Sequence, residues 1–197
     1  MVRKITLACG FALALCVLIV SAALPAYAAK GKTISADQLP GMCIAGGGHV
    51  TVPPNSALRI VGGTALIHTE CDITPGNNAS VSIVNATIDA RPGGDFDICF
   101  FPPCGTDVKV HVDNSTLYAG PPTFSSGLDL IAPGSSGQML VKNSTINANN
   151  GPGQSILVYS DGTTIVDNTT FHASGATVIH GGVKCKSNNN TPNVPCT

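Results

Sequence analysis

The sequence predicts an all-β chain whose short strands stack as a solenoid, and three observations carry the prediction. An eight-residue pattern occurs four times: Ile83-Val84-Asn85-Ala86-Thr87-Ile88-Asp89-Ala90, Val112-Asp113-Asn114-Ser115-Thr116-Leu117-Tyr118-Ala119, Val141-Lys142-Asn143-Ser144-Thr145-Ile146-Asn147-Ala148 and Val166-Asp167-Asn168-Thr169-Thr170-Phe171-His172-Ala173. Its Asn residues lie 29, 29 and 25 positions apart, a spacing typical of repeats that bury their apolar face only by stacking on one another. The residues before each Asn alternate, as in Val108, Val110 and Val112 against Lys109, His111 and Asp113, which is strand periodicity. The composition agrees: no Trp, a single Glu (Glu70) and 22 Gly suit turns and strands rather than helices.

In chain order, residues 1–28 read as a secretory signal peptide. Arg3 and Lys4 precede an apolar run from Ile5 to Leu24, and Ala26-Tyr27-Ala28 supplies the cleavage site. Export follows, to the periplasm or outside the cell. Cleavage after Ala28 leaves 169 of the 197 residues, enough for one domain with a core. Eight Lys and Arg then face eleven Asp and Glu, a net charge of −3, which argues against nucleic acid or an anionic membrane as partner.

Residues 29–54 read as an N-terminal cap and first strand. Ser35 with Gln38 fits a capping box, with Pro40 expected to stop any helix, and His49–Val52 is a short strand. Residues 55–184 carry the repeats. Gly62 and Gly63 take the first corner; Cys71 to Asn78 is expected to be a loop; Phe96 to Cys99 is a strand between loops. Gly127–Ile131 and Ser155–Tyr159 match one another, and Ala176 to Ile179 is expected to be the last strand. Residues 185–197 read as a tail or cap. Six cysteines remain after cleavage, an even number that in an exported chain implies disulfides. Of fifteen connectivities, near neighbours are expected: Cys43–Cys71, Cys99–Cys104 and Cys185–Cys196. No zinc-type cysteine spacing occurs, and neither metal nor cofactor is expected.

Within the repeat, Asn tolerates the positive φ of a corner. Stacking would align Asn85, Asn114, Asn143 and Asn168 into a ladder of amide hydrogen bonds. Ile88, Leu117, Ile146 and Phe171 would form an interior column with the alanines behind it. Asp89, Tyr118, Asn147 and His172 would point outward. The repeat and its Asn column resemble the right-handed parallel β-helix of the pectate-lyase-like superfamily, over about residues 55–184. That resemblance implies an internal Asn ladder, and the repeats predict about five coils.

Relatives of that kind cleave pectin with clustered acids, the lyases with calcium and an Arg or Lys base. No Asp-Asp pair occurs in this chain. The nearest approaches are Asp95-Phe96-Asp97, which can put two carboxylates on one strand face, and His180 before Gly181-Gly182. Arg59 and Arg91 stand apart from any acidic run. The sequons at Asn78, Asn85, Asn114, Asn143, Asn168 and Asn189 read as structural rather than as glycan acceptors, four of them coming from the repeat itself. The expected function is therefore an exported non-catalytic surface, adhesive or glycan-binding module. Its binding strip would be Asp89, Tyr118, Asn147 and His172, its partner an extracellular polysaccharide. The alternatives are a small polysaccharide lyase or hydrolase, and a structural or ice-binding stack built on Thr87, Thr116, Thr145 and Thr170.

Overall fold

The structure is a computed structural model and describes residues 26–27, 31–100, 104–123 and 127–197. The apolar run expected to belong to a signal peptide, and the cleavage point expected after Ala28, lie outside these residues. Three parallel sheets form the walls of a β-solenoid, and each of the five central coils gives one strand to each in turn. Sheet A stacks Ala26–Tyr27, His49–Val52, Glu70–Pro75, Asp95–Ile98, Gly127–Ala132, Ser155–Ser160 and Thr177–Gly181. Sheet B stacks Lys32–Ile34, Ala57–Val61, Ser80–Val84, Lys109–Asp113, Gln138–Lys142, Thr163–Asp167 and Lys184–Asn188. Sheet C stacks Thr64–Leu66, Thr87–Asp89, Thr116–Tyr118, Thr145–Ala148 and Thr170–Ala173.

The solenoid makes about six turns where five were expected. The extra turn comes from both ends of the 55–184 span. His49–Val52 already belongs to a full coil, and Lys184–Asn188 is a strand rather than part of a tail. Cys71 to Asn78 is not a loop either, because Glu70–Pro75 is a strand of sheet A with Cys71 and Ile73 turned into the core.

The repeat sits at the corner between sheets B and C. Gly62 and Asn85, Asn114, Asn143, Asn168 and Asn189 all have φ between 45° and 61° there. The expected inner column forms in register: Leu117 pairs with Ile88 and Ile146, and Ile146 with Phe171. All four side chains are buried.

The Asn ladder runs outside, contrary to the internal ladder of the resemblance. Its members are exposed, and they hydrogen-bond in two ways. Asn114 Nδ2 donates to Asn85 Oδ1 at 2.7 Å and Asn168 Nδ2 to Asn143 Oδ1 at 2.9 Å, whereas Asn143 Nδ2 donates to Asp113 Oδ1 at 3.1 Å. The internal ladder belongs to the residue after each Asn: Ala86 enters it by its N–H alone, and Ser115, Ser144, Thr169 and Asn190 bring polar side chains. The Ala86 and Ser115 N–H groups donate to Ser115 Oγ and Ser144 Oγ, both at 3.2 Å, and the Thr169 N–H to Asn190 Oδ1 at 2.9 Å. These side chains take backbone donors that the bend removes from the sheet ladders, which buried N–H groups require.

Both ends are closed covalently. At the N-terminus the Ser35 N–H donates to Gln38 Oε1 at 3.1 Å, completing half of the capping box. Pro40 does not stop the helix. It lies in the first turn of Leu39–Ala45, where its missing N–H has no intrahelical acceptor to lose. Cys43–Cys71 ties that helix to sheet A, Cys99–Cys104 clips the loop after Asp95–Ile98, and Cys185–Cys196 pins the C-terminal arch, with Cα separations of 5.1, 5.7 and 5.8 Å. All three pairs are the near-neighbour ones. The disulfides fit an oxidising compartment. Among the described residues no helix is long and apolar enough to cross a membrane.

Candidate functional site on the outer face of sheet A

Strand alternation decides which side chains leave the core of sheet A. Cys71, Ile73, Phe96, Ile98, Leu128 and Leu130 are buried inside, so Glu70, Asp72, Asp95, Asp97 and Asp129 fall on the opposite face. The register then gathers them. Glu70 pairs with Asp95 and Asp72 with Asp97, while His49 pairs with Asp72. Leu130 pairs with Ile98, and the Asp129 N–H donates to Asp97 Oδ1 at 2.6 Å. The pair Asp95–Asp97 does share a face, and the fold adds three more carboxylates and an imidazole to it. The ground for expecting no catalysis, the lack of an acidic cluster, does not hold in three dimensions.

Like charges in neighbouring strands repel, and burial compounds the cost by disfavouring the charged form. Asp97 is 3% exposed, and burial, with help from Asp95, pushes its pKa up to about 9. Burial also lifts Asp72 to about 7, assisted by Glu70 and Asp95, and raises Asp129. Carboxyls with different proton affinities therefore stand side by side in the row, Asp97 the one that holds its proton at neutral pH, and unlike carboxyls are what acid–base chemistry uses.

Further along, the same face becomes apolar and aromatic. Tyr159 stacks on His180 with ring centroids 5.0 Å apart. The Tyr159 hydroxyl donates to Asp161, which also accepts the Gly134 N–H at 2.8 Å. These bonds lower the Asp161 pKa and raise that of Tyr159. His180, which the sequence sets before Gly181-Gly182, is half of a ring stack.

The strip Asp89, Tyr118, Asn147 and His172 forms an in-register column on the outer face of sheet C. Its first half is occupied internally. Arg91, expected to stand alone, binds both oxygens of Asp89, Nε to Oδ1 at 2.8 Å and Nη2 to Oδ2 at 2.6 Å. Its guanidinium lies 3.7 Å from the Tyr118 ring centroid. That ion pair holds Asp89 below the usual carboxylate range, and it covers one face of Tyr118. The other end opens into a groove of about 470 Å³ under the C-terminal arch, lined by His172, Asn149, Thr177 and residues of Pro192–Pro195. The Thr column runs in register from Thr64 through Thr170 and is joined by Thr191. The rank beside it mixes Leu66 with the four strip residues, so one regular rank stands next to an irregular one.

No protein-family model, curated protein or solved structure matches the chain. The fold is thus a parallel β-solenoid on the evidence of its own sheets, and the site stands on its own geometry.

Proposed function

We propose that this is an exported carbohydrate-active protein that hydrolyses a glycosidic bond across the outer face of sheet A. Membership of the pectate-lyase-like superfamily belongs to the same proposal. The observation that supports it is the stack of Asp95, Asp97 and Asp129 on one face, a buried carboxyl between more exposed ones. Two carboxyl groups in unlike environments are the equipment of glycoside hydrolysis. In this reading Asp97 gives its proton to the glycosidic oxygen as that carbon–oxygen bond breaks. Asp129 takes a proton from the water that attacks the anomeric carbon. The two products carry the new hydroxyls, and the proton on Asp129 returns to Asp97 or solvent. Tyr159 and His180 supply surface for a sugar ring further along the face. The acidic face disfavours a polyuronate such as pectin, so the substrate class is a neutral or amino-sugar polysaccharide.

The test is release of reducing ends from neutral, glucosamine-containing and polyuronate polysaccharides. Release from one of the first two should fall about 100-fold or more in Asp97→Asn and Asp129→Asn; undiminished release in both variants would overturn the reading.

A second reading, glycan binding without cleavage along the sheet C strip, is favoured by the in-register column and the groove at its His172 end. It predicts binding that survives Asp97→Asn and is lost in Tyr118→Ala and His172→Ala, with no reducing ends released.

A further inference from the structure

We propose that His49, Glu70 and Asp72 bind one divalent transition-metal ion of the zinc class at the N-terminal edge of sheet A. The site borders the row of Asp95, Asp97 and Asp129 but stands independently of any cleavage by it.

The donor set is mixed: an imidazole nitrogen and two carboxylates, whose ligand atoms all lie within 4.8 Å of one another. His49 Nδ1 is 3.6 Å from Asp72 Oδ2. These atoms are placed by backbone register, because His49 pairs directly with Asp72 and Glu70 lies two residues earlier on the same face. Zinc bonds to nitrogen and oxygen are about 2.0–2.2 Å, so ligands around one ion stand at most about 4.4 Å apart. Closing from 4.8 Å needs only a small turn of Glu70, which is exposed.

The chain also clears space here. Gly47 and Gly48 have φ of 66° and 96°, a region that other residues rarely enter. A Cβ on Gly48 would lie 3.2 Å from Glu70 Cβ and 3.2 Å from Glu70 Oε2. Glycine is therefore what leaves the Glu70 carboxylate its place. A cavity of about 410 Å³ lined by Ile44, Gly47, Gly48, Thr69 and Glu70 opens onto that carboxylate and provides entry and room for water ligands. Cys43–Cys71 locks the helix before the glycines to the strand that carries both acids, and the Asp72 N–H donates to the Gly48 carbonyl at 2.8 Å.

Imidazole selects against calcium and magnesium, which take oxygen ligands, and in favour of zinc and its neighbours. Three protein ligands leave a coordination position open, as in sites that bind water or substrate.

The experiment uses untagged, disulfide-intact protein stripped with EDTA and titrated calorimetrically with Zn²⁺, then with Ca²⁺. One Zn²⁺ per chain is expected, with Ca²⁺ at least about 100-fold weaker. His49→Ala and Glu70→Gln, both at solvent-reached positions, should each weaken Zn²⁺ about 10–100-fold while keeping the wild-type circular dichroism. Co²⁺ bound to wild-type protein provides a reading independent of the variants, since its visible bands report nitrogen–oxygen coordination. The proposal is overturned by absence of saturable Zn²⁺ binding, by Zn²⁺ binding unchanged in both variants, or by Ca²⁺ binding as tight as Zn²⁺.

Discussion

Asn114 sits at φ 45°, where an L-residue without a short polar side chain is strained by about 1–2 kcal/mol. Its Nδ2 also donates to Asn85. Asn114→Ala should therefore cost about 1–2 kcal/mol in a thermal or urea melt, and Asn114→Gly, which relieves the strain, should cost less. Equal costs would place the effect in the hydrogen bond alone. Asp97 gives a pH signature. Its pKa is about 9 folded against 3.8 for the free side chain, so the folded chain holds the extra proton between those values and stability falls as pH rises through them. In EDTA, wild-type melting temperature should fall between pH 4 and pH 9. Asp97→Asn, whose amide oxygen can still accept the Asp129 N–H, should fall less and melt higher at pH 9. Parallel curves would remove Asp97 as the source. At this scale the corner was legible, because Asn-x-Thr recurs at nearly constant spacing and all six Asn sequon positions do adopt positive φ. The acidic face was not. Glu70 and Asp72 lie in a segment whose Pro75 and acidic residues disguise a strand, although Cys71 and Ile73 alternate as a strand requires. The loops flanking sheet A also vary in length, so no fixed period carries its register.

The elements are held by side chains that repeat once per coil. Leu117 is fully buried between Ile88 and Ile146, and Leu117→Ala should destabilise by about 2–5 kcal/mol. The in-register column was readable from the pattern, since a large apolar residue follows each Asn by three positions. The hydroxyl ladder of Ser115, Ser144 and Thr169 was not, because serine and threonine in a strand look alike whether they face solvent or a buried N–H. Likewise Pro40 gives the same sequence signal at a helix end and in a first turn; only the 3-10 turn Ala36–Gln38 before it shows which applies. At the C-terminal end, the Cys185–Cys196 link closes the arch that roofs the groove beside His172. Replacing both cysteines by serine should lower stability by about 2–4 kcal/mol, read from a denaturant midpoint.

For the whole molecule, processing and face choice are the open consequences. Ala26–Tyr27, inside the proposed cleavage site, pair in parallel with Val50–Thr51. Cleavage after Ala28 would remove that strand and leave the His49–Val52 edge of sheet A open. Mass spectrometry of exported protein should show a chain starting at Ala29, lighter by six hydrogens for its three disulfides. A chain retaining Ala26–Tyr27 would instead keep the edge covered and contradict the cleavage. In the proposed function the outer face of sheet A, not the strip on sheet C, is the working surface. Backbone amide NMR of Asp97→Asn titrated with neutral and glucosamine oligosaccharides tests it most directly. Shifts are expected to concentrate in Glu70–Pro75, Asp95–Ile98 and Gly127–Ala132; shifts confined to Thr116–Tyr118, Thr145–Ala148 and Thr170–Ala173 would place the working surface on sheet C instead.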